Sequence, residues 1–208
     1  MKQIPITRGA VVIVDDEDYE RINARKWALN PEGCGYAIRK GNKRRGEPRT
    51  VPMHREILDA PLGVVIDHIN GNGLDNRKCN LRFADTQKNA FNKKKARGKF
   101  TSKYKGVLKR KGKDTWTVRI KFNDRHIELG GYYKTEEYAA AIYNFASRIM
   151  FGEFRRENIS DDIPELSLQE QVRIFNICDR YIERYGWYVD TETYRLFRFG
   201  ASLNRETS

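Results

Sequence analysis

Asp67 and His68 close a short apolar stretch of the chain and are the residues best placed to do chemistry together. That stretch, residues 64–66, is predicted to be a strand, and a loop dense in asparagine and glycine follows over residues 70–76. Residues 80–83 predict a second strand, and a helix is predicted to begin near Thr86. The result is a small hairpin with a helix laid on it. Such an arrangement can hold one hard metal ion and one general base against a phosphate.

Hydrolysis of a phosphodiester needs an activated water, neutralisation of the phosphate charge and help for the leaving oxygen. The side-chain oxygens of Asp67 and Asn89 are hard donors, which suit one divalent ion, Mg²⁺ first and Mn²⁺ as the alternative. A neutral His68 can take a proton from water if a partner fixes its second ring nitrogen. Asn80, on the facing strand, is the candidate partner.

Each of these residues also has a plainer interpretation. Asp-His pairs are common on surfaces, clusters of asparagine and glycine usually form turns, Asn80 can cap a turn, and Asn89 can solvate a helix end. The adjacent segment favours a nuclease, because Lys88 to Lys113 contains twelve Lys or Arg and no Asp or Glu.

The whole chain of 208 residues is basic, with 40 Lys plus Arg against 28 Asp plus Glu and a net charge of +12. A surplus concentrated in one segment favours a polyanionic partner over a merely soluble basic protein. Cys34, Cys79 and Cys178 lie far apart, so neither a disulfide framework nor a structural zinc is expected. No apolar run has membrane-spanning length and no signal peptide is evident, so we expect a soluble, cytoplasmic protein.

The pattern of elements predicts an α+β protein in five parts. These are a β-rich leader (residues 1–50), a nuclease core (51–95), a basic linker (96–102), a module of three antiparallel strands plus a helix (103–158) and a helical tail (159–208). In the leader, residues 10–14 and 36–39 predict strands, residues 15–18 an acidic turn, and residues 19–26 a helical turn. The basic loop 41–49 is equally consistent with phosphate contact and with a solvated surface. The linker is interpreted as a DNA contact, with a solvated spacer as the alternative.

In the module, residues 104–109, 115–122 and 127–129 predict strands. The second alternates, with Trp116 and Val118 on one face and Thr117 and Arg119 on the other. Thr135 is the expected N-cap of a following helix that ends near Gly152. In the tail, a capping box at Ser167 predicts a helix that runs to Gly186, and residues 194–199 predict a last strand.

The central stretch closely resembles the HNH endonucleases of the homing and phage type, which have a ββα-metal fold. The matching residues are Asp67-His68-Ile69-Asn70-Gly71-Asn72, Asp75-Asn76-Arg77, Asn80-Leu81-Arg82 and Asn89. The resemblance implies His68 as general base, Asn80 as its orienting residue, and Asp67 and Asn89 as ligands of one divalent ion. It also implies the subgroup without structural zinc. His54 matches an upstream feature of that subgroup, and a structural role is the favoured interpretation.

The second module is similar to the Apetala-two domain of plant ethylene-response factors, a family that lays its sheet in the major groove of DNA. The matching residues are Tyr104-Lys105-Gly106-Val107, Trp116-Thr117-Val118-Arg119-Ile120, Leu129-Gly130 and Glu136-Glu137-Tyr138-Ala139-Ala140. Leu108 and Glu128 depart from the plant pattern, so base specificity is not transferred. Together with the linker, the resemblance predicts DNA contacts from Lys93, Lys94, Lys95, Arg97, Lys105, Arg110, Arg119, Lys121 and His126.

The sequence therefore predicts a metal-dependent, site-directed endonuclease of double-stranded DNA. With one apparent active site, a monomer is expected to nick one strand; a dimer is left open, and a phage-encoded protein would act in the host cytoplasm. The alternative is a DNA-binding regulator that has kept a nuclease scaffold. The intact set Asp67, His68, Asn80 and Asn89 favours the enzyme.

Overall fold

The computed structural model describes residues 1–30, 35–95, 98 and 100–203. It is a mixed α+β structure with four small antiparallel sheets among the described residues. The chain divides into two compact units, Met1–Asn92 and Lys93–Ser208. Cys34 and the predicted DNA contact Arg97 lie outside the described residues. Within those residues, no helix is long and apolar enough to cross a bilayer.

The first unit joins the predicted leader and nuclease core around one hydrophobic core. Its elements are β1 (Lys2–Pro5), β2 (Val11–Val14), α1 (Asp16–Asn23), β3 (Ala28–Asn30), β4 (Tyr36–Lys40), β5 (Thr50–Pro52), α2 (Met53–Ile57), β6 (Val65–His68), β7 (Leu81–Ala84) and α3 (Thr86–Asn92). Apolar residues from both predicted parts, among them Val12, Ile22, Met53 and Ile66, are buried together in that core.

The leader contains the predicted strands, but the acidic segment after β2 differs from the expected turn. Residues 15–18 were predicted to be a turn before a helix at 19–26, whereas α1 begins at Asp16. Asp16, Glu17 and Asp18 occupy its first turn, where carboxylates interact favourably with the positive end of the helix dipole.

The predicted hairpin and helix are present. β6 and β7 pair antiparallel, with Asp67 opposite Arg82 and His68 opposite Leu81. The loop between them is anchored to β2, because Ile13 donates its N–H to the Leu74 carbonyl and accepts from the N–H of Asn76. The sheet of β1 and β2 therefore fixes the loop that approaches His68.

The second unit contains a three-stranded antiparallel sheet covered by a helix. Its elements are β8 (Val107–Lys109), β9 (Trp116–Phe122), β10 (Arg125–Tyr133), α4 (Glu136–Phe151), α5 (Leu168–Tyr185) and α6 (Glu192–Leu203). The predicted alternation in β9 is confirmed, since Val118 and Ile120 are buried and Arg119 and Lys121 are exposed. The first strand begins at Val107 and not at residue 104.

Capping residues mark where the helices of the second unit begin and end. The Thr135 hydroxyl accepts from the N–H of Tyr138 at the start of α4, and the Ser167 hydroxyl accepts from that of Glu170 at the start of α5. Gly186 ends α5 in the left-handed region at φ 60°. These sequence predictions are confirmed.

The predicted strand at residues 194–199 is wrong, because this segment lies inside helix α6. The Thr191 hydroxyl accepts from the N–H of Tyr194, which caps the helix. Tyr194 and Phe197, three residues apart and hence on one helical face, both pack on the Phe175 ring. Aromatic content favours a strand by propensity, but this helical spacing prevails once α5 supplies a surface.

Candidate active site

Asp67 is a buried carboxylate near the end of β6. Arg82 lies directly opposite it on β7, so both side chains project from the same face of the hairpin. Arg82 donates to Asp67 Oδ2 from Nε at 3.0 Å and from Nη2 at 2.7 Å. The Arg82 side chain is 11% exposed and that of Asp67 is 6% exposed. The Asp67 charge is thus balanced by a buried arginine.

Asn92, at the end of α3, is the asparagine that reaches this carboxylate. Its Nδ2 lies 3.0 Å from each Asp67 oxygen and 2.8 Å from the His68 carbonyl oxygen. Asn89, the predicted ligand, is half-buried one turn earlier, and the described residues contain no hydrogen bond between its side chain and Asp67. The two asparagines are three residues apart and lie on the same side of the helix, one turn from each other. Their Asn-x-x-Asn spacing was the signal that sequence reasoning missed.

His68 follows Asp67 on the strand and therefore points to the other face of the hairpin. It is buried, and its Nε2 lies 3.4 Å from Oδ1 of Asn76. Its Nδ1 is also buried and has no hydrogen-bond partner among the described residues. A ring in this position has one nitrogen directed at a polar partner and one without a partner.

Asn80, the predicted orienting residue, bonds to the loop instead of the imidazole. Its Nδ2 donates to the Asp75 carbonyl at 2.8 Å and to Asn70 Oδ1 at 3.1 Å, and its Oδ1 accepts from the N–H of Asn70 at 3.0 Å. Asn80 therefore stabilises the loop that carries Asn76. In this geometry, Asn76 contacts His68 directly and Asn80 acts on the ring through the loop.

Two further rings pack against the imidazole. The centroid of His68 lies 5.1 Å from that of His54 and 5.5 Å from that of Tyr36, and the Tyr36 and His54 centroids are 5.2 Å apart. Burial lowers the pKa of His54 to about 3 and also lowers the pKa of His68, against a smaller upward effect of the Asn76 contact. Burial thus favours the neutral form of both rings, the form in which His68 can accept a proton.

The residues at Asp67 suit a hard divalent cation. A carboxylate and an asparagine amide oxygen are acceptable ligands, and Mg²⁺ typically takes one or two protein carboxylates and fills its remaining positions with water and phosphate oxygens. Rotation of the Asn92 amide exchanges its nitrogen and oxygen, so the same side chain can direct an oxygen toward the cation. Within the described residues, no group of three or more His, Cys, Asp or Glu could hold a metal. A cation here would share the Asp67 carboxylate with Arg82.

The predicted DNA contacts differ widely in accessibility. Lys93 and Lys94 are exposed, but the Lys95 ammonium donates to the Ser102 and Tyr104 carbonyls at 2.9 and 2.6 Å. Lys105 donates to the Lys93 carbonyl, and burial lowers the Lys105 pKa to about 8. Lys95 and Lys105 therefore hold the chain around β8 in place, a role that charge counting does not reveal.

The open face of the sheet presents the other predicted contacts. His126 is exposed, and Arg119 and Lys121 are exposed but form ion pairs with Glu128 and Asp124. The Arg110 guanidinium stacks on the Tyr132 ring at 3.9 Å. This face thus carries several cationic side chains, with Glu128 on the edge strand β10 paired to Arg119.

Comparison with known proteins identifies one relative by sequence. The chain is 30% identical over 160 residues to a protein of Acanthamoeba polyphaga mimivirus named as an uncharacterized HNH endonuclease. The match covers 74% of this chain and 78% of that protein. No protein-family model matches the chain. At this identity and coverage, the chain belongs to the HNH endonuclease family.

Proposed function

We propose that the protein is a metal-dependent endonuclease that hydrolyses one phosphodiester bond of double-stranded DNA as a nicking monomer. The observation that carries the proposal is a buried His68 beside a buried Asp67 on a β-hairpin closed by a helix. Family membership supports nuclease activity. The excess of Lys and Arg over acidic residues, with a net charge of +12, supports a nucleic-acid substrate.

His68 is proposed as the general base that takes a proton from the attacking water. Burial lowers the pKa of its imidazole and so favours the neutral form, and the packing of His54 and Tyr36 limits rotation of the ring. Asn76 fixes one ring nitrogen, and Asn80 holds the loop that carries Asn76. The base is therefore oriented before substrate binds, which is the condition for efficient proton transfer.

Asp67 and an asparagine of α3 would hold one Mg²⁺ or Mn²⁺. The contacts favour Asn92 for this role over Asn89. When bound, the ion would offset charge on the phosphate and assist departure of the 3′ oxygen. Arg82 orients the Asp67 carboxylate from the facing strand and balances its charge.

The second unit is proposed to bind the duplex through the open face of its sheet. Arg110, Arg119, Lys121 and His126 supply the contacts, together with the exposed Lys93 and Lys94. Such phosphate contacts position a protein on DNA and make binding sensitive to salt. Lys95 and Lys105 are left out of this set because their amines are bonded to backbone carbonyls.

The test combines His68→Ala with measurements of both cleavage and affinity. His68→Ala should abolish cleavage of plasmid DNA in Mg²⁺ and leave duplex affinity, measured in EDTA, within about twofold of wild type. A matched variant, Tyr188→Ala, removes an exposed ring of the second unit that has no part in the proposal, and it should retain cleavage. Cleavage that survives His68→Ala would show that the base is assigned wrongly.

A further inference from the structure

A wide groove crosses the first unit between the end of α1, the strands β3 and β4, and the loop over residues 41–49. Its volume is about 1470 Å³. Seven of its lining residues are Lys or Arg, and Glu47 is the acidic one. A groove with this composition attracts polyanions.

The lining cations fall into two groups. Arg25 and Arg39 are paired with Glu56, and Arg39 also binds Glu47 at 2.7 Å. Among the described residues, the other five are exposed and lie in no ion pair with an acidic side chain: Lys26, Lys40, Lys43, Arg44 and Arg49. Glu47 and Glu56 are thus neutralised by Arg25 and Arg39, and the other five lining cations are exposed.

The basic loop has a defined shape. Gly41 packs so closely on the Pro48 carbonyl that a Cβ atom there would lie 1.7 Å from its oxygen. The Asn42 side chain accepts from the N–H of Arg44, and Glu47 accepts from the N–H of Asn42. Arg39 holds the pKa of Glu47 down to about 2, so this clamp persists at all physiological pH values. The loop therefore presents Lys43 and Arg44 on a fixed turn.

The elements that wall the groove also support His68. Strand β4 places Tyr36 on the His68 ring at one end and Lys40 in the groove at the other. Helix α2 carries His54 against His68 and, two residues on, Glu56 against Arg39. Four strand residues span about 13 Å, which is about four base-pair steps along a duplex. The two places are therefore separated along β4 by a distance that matches a few base pairs of duplex.

We propose that this groove binds the phosphate backbone of duplex DNA a few base pairs from the bond that His68 attacks. The inference rests on the proposed nuclease function and adds a substrate surface to the first unit itself. It assigns phosphate contacts to Lys40, Lys43, Arg44 and Arg49. The nuclease unit then holds its own substrate strand in register, whatever the second unit contributes.

The experiment is salt-dependent binding of the full chain to a fluorescent random-sequence duplex, measured in EDTA so that no cleavage occurs. The test variant is Lys43→Gln/Arg44→Gln/Arg49→Gln. The control removes three exposed cations from α5 and α6, Arg180→Gln/Arg184→Gln/Arg195→Gln, and so matches the change in net charge. Circular dichroism and melting verify the fold. If the triple variant does not fold, Lys43→Gln/Arg44→Gln takes its place.

The proposal predicts that the slope of log affinity against log salt becomes shallower by about 1 to 3 for the groove variant, since each lost phosphate contact removes about 0.9. The control should change the slope by less than about 0.5 by the same relation. Equal slopes for the two variants would refute the proposal that the groove binds the phosphate backbone. Failure of the wild type to cut in Mg²⁺ or Mn²⁺ would count against the nuclease proposal and leave this binding result standing.

Discussion

Arg82→Gln tests two properties of the Asp67 carboxylate. Loss of its counter-charge should destabilise the fold, and a divalent cation bound at the carboxylate should then restore stability. The wild-type side chains are 11% and 6% exposed, so the glutamine variant leaves a buried carboxylate without its counter-charge. Breaking such a pair typically costs about 3 to 5 kcal/mol. Because the Asn92 hydrogen bonds remain, the expected loss in the free energy of unfolding is about 3 kcal/mol. For a unit of this size, that loss lowers the midpoint of thermal unfolding by about 12 to 24 °C.

A divalent cation should restore much of this stability. In the wild type, the cation shares Asp67 with Arg82; in Arg82→Gln, it supplies the missing positive charge. At a concentration one hundred times its Kd, a ligand of the folded state adds about 2.7 kcal/mol. Titration with Mg²⁺ or Mn²⁺ in a calorimeter should therefore raise the midpoint of Arg82→Gln more than that of the wild type.

Two controls accompany this measurement. Lys88→Gln breaks an exposed pair with Asp85 and should cost less than about 1 kcal/mol, with no change in the response to metal. Arg82→Lys keeps the charge and serves if the glutamine variant does not fold. The reasoning is refuted if Arg82→Gln is within about 1 kcal/mol of wild type, or if neither metal restores its stability more than it stabilises the wild type.

Three further predictions follow from individual contacts. The pKa of His54 is lowered from 6.5 to about 3, so the free energy of unfolding should decrease as the pH falls below about 6.5, by up to about 4 kcal/mol near pH 3. In denaturant titrations, His54→Phe should show a smaller decrease over the same pH range. Glu128→Gln should strengthen duplex binding and Arg119→Gln should weaken it, because the exposed pair places opposite charges on the sheet face. If both substitutions change the affinity measured by anisotropy in the same direction, this face is excluded as a DNA surface. Lys95→Met should destabilise the second unit by about 1 to 3 kcal/mol and leave the salt dependence of duplex binding unchanged. Lys94→Met should leave the stability unchanged and make the salt dependence of binding shallower. Thermal melting measures the first effect and binding titrations measure the second.

The elements around the site were predictable because they have strong local signals. An apolar run that ends in Asp67-His68, a loop of asparagine and glycine, and a second short segment in which Leu81 and Phe83 alternate with Arg82 together indicate a hairpin. In the second unit, alternation in β9 and the Thr135 and Ser167 caps located the sheet and two helices. Such signals depend on neighbours in the chain, so they are visible without the tertiary structure.

The partners of the site residues were not predictable in the same way. The loop contains several asparagines of equal chemical type, and the anchoring of residues 74 and 76 to β2 places Asn76, and not Asn80, against His68. The packing of α3 on the hairpin likewise brings Asn92, and not Asn89, to Asp67. Lys95 resembles its neighbours in sequence, yet two carbonyls fix its ammonium. These outcomes depend on long-range packing, which residue type and spacing do not encode.

Plasmid cleavage tests the central claim most directly. Supercoiled DNA that carries candidate target regions would be incubated with wild type in Mg²⁺ or Mn²⁺, with wild type in EDTA, and with His68→Ala in metal. The account predicts open-circle product with wild type in at least one metal and none in EDTA or with His68→Ala. Open circle that forms equally with His68→Ala, or in EDTA, would contradict it.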